Sequence, residues 1–266
     1  MYLFRKFFSD IMVLFSMSTT ALFAANPIVY AGPNPPFNFR DKGQVVGLGF
    51  DLLNASLSTI RAPFEQDEIL LDKWKSMYDA ALAHPTTFLI STARLKDRET
   101  LFQWVGPLAT VRLGVITKRK TMISNSTNLL EVLHPLRIVT IKETAAEQLL
   151  LKELSEHPNV NLNIVRVSTP LQGYKMLEYD RVDALVYTDL PFVYHLLSEK
   201  QDVKTYKMAF VLLNTDYFIA AGRDVPKEQI RIMQTTLNKL KETDSSGNSP
   251  YNQIVARYLK GVVLEP

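Results

Sequence analysis

The stretch of sequence with the most chemical content runs from residue 88 to residue 107, FLISTARLKDRETLFQWVGP. It places an arginine, Arg98, beyond a short apolar run, and aromatic side chains follow at Phe102 and Trp104. A guanidinium can hold a carboxylate through two parallel hydrogen bonds, and rings that exclude water strengthen this contact. The segment therefore indicates a binding site for a small carboxylate-bearing solute. The competing interpretation is a surface helix with scattered charges at positions 96–98.

Three more polar side chains in this segment are candidates for the same site. Arg94 is a second candidate for the carboxylate, although it can instead pair with a neighbouring acid. Ser91 and Thr92 stand at the end of the apolar run, where their hydroxyls can donate hydrogen bonds to a solute.

Aromatic side chains elsewhere in the chain are candidates for the walls of the pocket. Phe37 and Phe39 follow a proline-rich segment, and Trp74 begins a run with helical spacing. Aromatic rings in such positions stack on side chains or on flat ligand groups. The alternative is that part of this set belongs to the core, and the helical spacing makes that alternative strongest for Trp74.

A helix N-terminus is predicted at Thr144, which forms a Thr-x-x-Glu capping box with Glu147. Unpaired N–H groups at a helix start attract anions, so this turn can supply a second contact to a carboxylate. An ordinary capped helix is the equal alternative, because Glu147 would itself compete with an anion there.

The composition excludes several classes of function. With 47% hydrophobic and 21% charged residues the chain is globular, and a net charge of +3 is too small to favour nucleic acid. The absence of cysteine removes disulfides, zinc-thiolate sites and thiol nucleophiles. The four histidines lack ligand-like spacing, and no GxSxG, HExxH or phosphate loop is present. No metal, cofactor or catalytic residue is therefore predicted.

Residues 1–24 are predicted to be a cleaved secretory signal peptide. A basic pair precedes a mostly apolar stretch at 11–23, and small residues follow. Cleavage is expected after Ala24, with Ala21 as the alternative. A retained membrane helix is the competing interpretation, but the apolar stretch is short and interrupted by Ser and Thr. The predicted location is the periplasm.

Apolar runs and helical patterns alternate along the rest of the chain, which predicts an α/β fold with mostly parallel strands. Strands are predicted at 27–31, 88–91, 111–117, 136–141, 161–167, 183–187, 207–213 and 217–221, with a turn at Asn214–Asp216 between the last two, and residues 45–48 form a further apolar stretch. Helices are predicted at 50–60, 74–82, 144–154, 169–179, up to 198, from 226 and at 251–259.

From about Ile28 to Leu259 the chain resembles the periplasmic amino-acid-binding proteins of ABC transporters, which form family 3 of the solute-binding proteins. Five short motifs carry the resemblance in the expected order: Pro35–Phe39, Gly47–Leu52, Ser91–Pro107, Arg137–Leu149 and Arg181–Ala184. Each motif is too short to identify the family alone, but five of them in the expected order behind a signal peptide are hard to obtain by chance.

The resemblance implies the type II periplasmic-binding-protein fold, with a ligand cleft between two lobes. The first lobe would comprise residues 25–112 plus 210–266, and the second would comprise residues 113–209. Hinge strands are expected near 111–115 and 207–211, with closure over the ligand by hinge bending.

The resemblance also assigns roles at the site. The arginine matching Arg98 holds the ligand carboxylate in this family. An aspartate that binds the ligand ammonium lies five residues after the Asp-Ala aspartate, where this chain has Thr188, and Asp189 comes one residue later. Either the loop shifts so that Asp189 serves, or the ligand carries no α-ammonium. Asp183 itself is expected to be structural.

Three functions are compatible with this interpretation. The first is capture of an amino acid or similar small carboxylate for a membrane permease of an ABC transporter, by a protein expected to be a monomer. The second is signalling to a membrane sensor through the closed form. The third is an enzyme similar to periplasmic cyclohexadienyl dehydratases, which would need a general acid such as Glu143 or Asp189.

Overall fold

The computed structural model describes residues 27–259 and 264–265. The predicted signal peptide lies outside these residues. Within the described ranges, no helix is both long enough and apolar enough to cross a membrane.

The described chain alternates strands and helices, which confirms the predicted α/β class. The strands are β1 (Ile28–Ala31), β2 (Phe39–Asp41), β3 (Gln44–Val46), β4 (Ile69–Leu71), β5 (Thr87–Ala93), β6 (Gln103–Lys118), β7 (Arg137–Ile141), β8 (Asn163–Val167), β9 (Ala184–Thr188) and β10 (Tyr206–Ala221). The α-helices are α1 (Leu48–Leu57), α2 (Trp74–Ala83), α3 (Leu129–Leu133), α4 (Ala145–Glu156), α5 (Pro170–Glu178), α6 (Asp189–Ser198), α7 (Lys227–Lys241) and α8 (Pro250–Tyr258).

Eight strands form one sheet in the order β4-β1-β5-β10-β6-β9-β7-β8, and β2 pairs with β3 separately. One half contains the parallel strands β4, β1 and β5, and the other contains the parallel strands β9, β7 and β8. Parallel strands must be covered on both faces, so their sequences are apolar throughout. Accordingly, every residue of β5 is buried.

The two long central strands connect the halves. β10 pairs with β5 through Tyr217–Ala221, whereas β6 pairs with β9 through Leu113–Thr117, and β6 and β10 pair with each other along most of their length. The lobe limit predicted after residue 112 lies opposite Asn214, and the one predicted before residue 210 lies opposite Val115. The lobe limits themselves stay a prediction.

The turn predicted between two strands at Asn214–Asp216 is wrong, because β10 is continuous there. These three residues pair with Arg112, Val111 and Thr110 of β6. The Asp216 carboxylate also accepts a hydrogen bond from the Thr110 hydroxyl at 2.6 Å. Pairing with the neighbouring strand therefore outweighs the local preference of polar residues for a turn.

The end of the chain returns to the second half. The Met208 N–H donates to the Glu265 carbonyl at 2.9 Å. Leu264 is fully buried in a cluster that includes Ile116 and Tyr206. In contrast, α8 packs on α1 and α7 of the first half.

Candidate functional site

A cavity of about 50 Å³ lies between the two halves of the sheet. Its lining comes from segments at the carboxyl ends of β1, β5, β7 and β9 and from the starts of α2, α4 and α5. Open α/β sheets bind ligands in the crevice outside the carboxyl ends of their strands, where the strand order reverses. The cavity therefore occupies the expected position for a ligand site in this fold.

Arg98 is the central charged side chain of the cavity. It ends a short 3₁₀ turn after β5 and is only 2% exposed. One terminal nitrogen donates to the Ala93 carbonyl at 3.3 Å, and the other donates to Gln148 Oε1 at 2.8 Å and the Glu143 carbonyl at 3.4 Å. Its Nε has no hydrogen-bond partner, and no acid of the described chain forms an ion pair with it.

Two aromatic rings lie close to the Arg98 guanidinium. Its guanidinium carbon lies 5.1 Å from the ring centre of Tyr78 and 5.7 Å from that of Trp74. Burial lowers the pKa of Arg98, although an arginine stays protonated at any physiological pH. A buried cation with an unpaired donor and no carboxylate partner is suited to a ligand carboxylate.

Contacts from both halves meet at the Arg98 guanidinium. The Trp74 Nε1–H donates to the Glu143 carbonyl at 2.8 Å, and this carbonyl also accepts from Arg98. Glu143 adopts a left-handed backbone conformation with φ +62°, which is uncommon for a residue with a side chain. Such strain persists only where the surrounding structure holds it, and it clusters at binding sites.

The start of α4 forms the facing wall. Thr144 is its N-cap, and its hydroxyl oxygen accepts the Glu147 N–H at 3.5 Å. The Glu147 carboxylate accepts the Glu143 N–H at 2.6 Å, so this acid occupies part of the helix start. Ala145 lines the cavity, and its N–H has no hydrogen-bond partner among the residues described here.

Glu147 is fully buried and fully satisfied. Arg166 binds both carboxylate oxygens at 2.8 Å, and the Thr140 hydroxyl donates at 2.6 Å. Burial alone would raise the pKa of Glu147, but the hydrogen bonds from Arg166, Thr140 and the Glu143 N–H outweigh it and lower that pKa. Glu147 is therefore an ionised, structural acid that fixes the start of α4.

Ser91 supplies a hydroxyl at the end of β5. Its backbone has φ +55°, and its Oγ donates to Asn38 Oδ1 at 2.5 Å. Asn38 in turn donates to the Gly32 carbonyl at 2.6 Å. Both side chains line the cavity, so the loop after β1 and the end of β5 are held together at the site.

Gly49 of α1 sets the position of Ser91. A Cβ at Gly49 would lie 2.1 Å from Ser91 Oγ and 3.0 Å from Asn38 Oδ1. We expect Gly49→Ala to displace the Ser91 hydroxyl and to weaken ligand binding about two- to tenfold, the value of one hydrogen bond. Calorimetric titration measures this, with exposed Ser58→Ala at the other end of α1 as control. If Gly49→Ala displaces the Ser91 hydroxyl and the ligand affinity stays unchanged, that hydroxyl does not contact the ligand.

A neutral polar cluster lies on the other side of the cavity. The Tyr187 hydroxyl donates to Asn34 Oδ1 at 3.2 Å, and Asn34 Nδ2 donates to the Tyr217 hydroxyl at 3.4 Å. Thr188 Oγ1 lies 3.1 Å from the same Tyr217 hydroxyl. Burial raises the pKa of Tyr187 and of Tyr217, so both phenols stay protonated.

The structure separates the two arginines considered for the carboxylate. Arg94 is exposed, and it forms an ion pair with Glu99 at 2.5 Å. It does not line the cavity. Thr92 is buried, and its hydroxyl donates to the Leu89 carbonyl at 3.1 Å within β5.

The predicted aromatic walls are divided in the same way. Trp74 lines the cavity. Phe37 is fully buried behind the cavity, where its ring packs edge-on against Tyr217 with the ring centres 4.8 Å apart. Phe39 contacts Tyr194 and Tyr258 instead, with ring centres 5.5 and 6.5 Å away.

Asp189 begins α6 and is bound by Arg112 of β6. Its carboxylate accepts the Arg112 Nε–H at 2.8 Å and the Arg112 N–H at 3.1 Å. The preceding residue, Thr188, lines the cavity, whereas Asp189 does not. Asp183 pairs with Arg137 at 2.8 Å, away from the cavity lining.

Four lining residues were not among the site residues predicted from sequence: Asn34, Asn38, Tyr187 and Tyr217. They belong to three segments, the loop after β1, β9 and β10, and only the fold brings these together. Gln148, which contacts Arg98, lies four residues after the N-cap of α4, and this spacing could have identified it as part of the same helix start. Within the described residues, no group of three or more His, Cys, Asp or Glu side chains could hold a metal ion.

No protein-family model matches this sequence, and a search of curated proteins also finds no match. Solved structures do match. A histidine kinase sensor domain with similarity to periplasmic binding proteins has a TM-score of 0.71 at 19% identity, over 91% of this chain and 98% of that one. An ancestral arginine-binding protein bound to arginine has a TM-score of 0.70 at 16% identity, over 88% and 99%.

A third similar structure is the arginine-, lysine-, histidine-binding protein ArtJ from Geobacillus stearothermophilus. Its TM-score is 0.66 at 17% identity, over 91% of this chain and 97% of that chain. At these identities the similarity concerns the fold, and it extends over nearly the whole of each structure. The chain therefore has the mixed α/β fold of the periplasmic binding proteins.

Proposed function

We propose that this chain is a periplasmic solute-binding protein that captures an amino acid or a similar small carboxylate. The observation that carries the proposal is Arg98, a buried guanidinium with an unpaired Nε and no acid partner, at the edge of a cavity. Burying a cation without an anion costs free energy, and a ligand carboxylate offsets that cost when it binds. The unpaired N–H of Ala145 at the start of α4 supports a second contact to the same group.

The two predicted lobes, 25–112 with 210–266 and 113–209, would close over the ligand. Arg98 approaches the cavity from the first lobe, and Ala145 from the second. A carboxylate that contacts both residues would bind the closed form more tightly than the open form, and it would therefore stabilise the closed form. The closed form would then deliver the solute to the membrane permease of an ABC transporter.

Binding without chemical conversion is part of the proposal. The two acids considered as general acids are both held by arginines of the second half or the hinge. Glu143 Oε1 lies 3.7 Å from Arg166, and Asp189 lies 2.8 Å from Arg112. Neither residue lines the cavity, so neither carboxylate is placed to act on a bound ligand.

Sensing is a second candidate, and it is supported by the similarity to a histidine kinase sensor domain. Both functions require the same ligand chemistry and differ in the membrane partner. A pull-down from membranes with and without ligand would separate a permease from a receptor.

The proposed function is tested by a thermal-shift screen of the twenty amino acids, small organic acids and polyamines. A true ligand raises the melting temperature by an amount that grows with the logarithm of its concentration. We expect hits only among compounds with a carboxylate. A screen in which polyamines alone raise the melting temperature would contradict the role given to Arg98.

A further inference from the structure

We infer that the ligand is a small carboxylate that carries no ammonium group, such as a 2-hydroxy or 2-oxo acid. The inference rests on the proposed function, because it narrows the class of solute at the same cavity. It depends on the charges and hydrogen bonds of the lining residues, which suit an anion and offer an ammonium no acidic partner.

The charged side chains of the cavity lining are all cationic. They are Arg98, which is buried, and Lys73, which is exposed at the N-cap of α2. None of the described residues that line the cavity is Asp or Glu. No ion pair is found for Lys73 or Arg98 in the part of the chain that the structure describes. The field in the cavity therefore favours anions and opposes a ligand cation.

The acids nearest to the cavity already have cationic partners. Asp189 is bound by Arg112 through two hydrogen bonds, and it is almost fully buried in that arrangement. Glu143 contributes its backbone carbonyl to Arg98, while its carboxylate lies near Arg166 and Gln148. If either carboxylate turned to a ligand, an existing ion pair would break. Movement of Asp189 would also leave the Arg112 guanidinium of β6 without an anionic partner.

The polar groups that remain are neutral. Tyr187, Asn34, Tyr217 and Thr188 form one hydrogen-bonded cluster along the cavity. Asn34 Oδ1 already accepts a hydrogen bond from Tyr187, and Asn38 Oδ1 accepts one from Ser91. An ammonium group has three hydrogen-bond donors and no acceptor. In this cavity it would have to donate to neutral oxygens that already accept hydrogen bonds from protein side chains.

A hydroxyl or carbonyl oxygen in the same place fits this cluster better. Hydroxyl groups such as those of Thr188 and Tyr217 can reorient to donate or accept, and an uncharged ligand group makes no demand for a counter-ion. Desolvation of an unpaired ammonium is costly, whereas desolvation of a hydrogen-bonded hydroxyl is modest. The preference for a hydroxy or oxo acid over an amino acid therefore comes mainly from the lack of an Asp or Glu among the described lining residues.

The experiment compares ligands that differ only at the second carbon. Each of the twenty amino acids is titrated beside its 2-hydroxy and 2-oxo counterparts, for example L-alanine beside L-lactate and pyruvate, by thermal shift and calorimetry. We expect the best ligand to be a hydroxy or oxo acid that binds at least tenfold more tightly than its amino acid. An amino acid that binds more tightly than both counterparts overturns the inference and leaves the proposed function intact. If no carboxylate of any class binds, the proposed function itself fails.

Thr188→Asp provides a second test, because it places a carboxylate at the neutral cluster. We expect the preference within the best matched set to move at least tenfold toward the amino acid. Thr188→Asn has a similar shape without the charge, and we expect it to keep the wild-type order of preference. A folded Thr188→Asp protein with the wild-type preference would contradict the inference.

Discussion

We expect Arg98→Ala to abolish the ligand-induced rise in melting temperature. A ligand carboxylate would then be buried without its cation, which typically costs about 2–5 kcal/mol, or roughly 30- to several-thousand-fold in affinity. Calorimetric titration of the purified protein measures the loss directly. Arg98→Lys keeps the charge but not the planar pair of donors, so we expect an affinity between those of the wild type and the alanine variant.

Arg94→Ala is the matched control, because Arg94 lies in the same segment but pairs with Glu99 at the surface. We expect its affinity to equal that of the wild type. The unliganded melting temperature of Arg98→Ala should fall by no more than about 3 °C, since removing a buried, incompletely bonded cation costs little. A large fall in the melting temperature of unliganded Arg98→Ala would instead identify Arg98 as a structural residue. Loss of binding in Arg94→Ala would show that Arg94 contributes to the site and that the carboxylate was assigned to the wrong arginine.

Glu147→Ala is expected to produce the largest loss of stability. It removes a buried carboxylate that satisfies the Thr140 hydroxyl and the Glu143 N–H and pairs with Arg166. Arg166 can turn to water because it is partly exposed, so we expect a loss of about 2–4 kcal/mol in the free energy of unfolding. For a domain of this size the melting temperature would fall by roughly 4–15 °C, measured by circular dichroism or calorimetry.

Glu156→Ala, at the exposed end of the same helix, is the control, and we expect a change within about 0.5 kcal/mol. The pH dependence gives an independent readout. Because the folded protein lowers the pKa of Glu147, its contribution is complete above the ordinary value of 4.5 and is lost as the pH falls through the lower folded value. Glu147→Ala should therefore lose less stability than the wild type on acidification over that range. Parallel curves for the two proteins would mean that Glu147 contributes no charge-dependent stability.

Local sequence patterns predicted the parts of the site that lie within one segment. The segment around Arg98 indicated a shielded guanidinium, and the capping box at Thr144 indicated the helix start that the structure contains. The rings near that guanidinium, however, are those of Tyr78 and Trp74 rather than the predicted Phe102 and Trp104, and Trp104 lies over Arg94 instead. Trp74 and Tyr78 lie 24 and 20 residues before Arg98 and reach it only through the fold. The two capping residues are three positions apart, so spacing alone carries the information. The alternation of apolar strands and helices predicted the α/β class for the same reason.

Features that depend on pairing between distant segments could not be predicted in this way. Asn34 and Tyr217 are 183 residues apart and meet only because β1 and β10 belong to the same sheet. Asn214–Asp216 has the polarity of a turn, yet β6 holds it as a strand. At the end of β9 the chain changes from strand to helix, so Thr188 lines the cavity while the next residue, Asp189, binds Arg112. No sequence pattern specifies which of these two neighbours faces the cavity.

The return of the chain end to the second half would limit how far the two predicted lobes could open. Leu259 directly follows α8, which packs on the first half, and Leu264 is buried in the second. The five Cα steps between them can extend to at most about 18 Å. While Leu264 stays buried, this connection would set an upper bound on the proposed hinge motion, and wider opening would require Leu264 to leave its cluster. The range of the proposed motion would thus depend on the buried Leu264 side chain, on the hydrogen bonds from Arg112 and Met208 to the carbonyls of Leu264 and Glu265, and on the bending of the central strands.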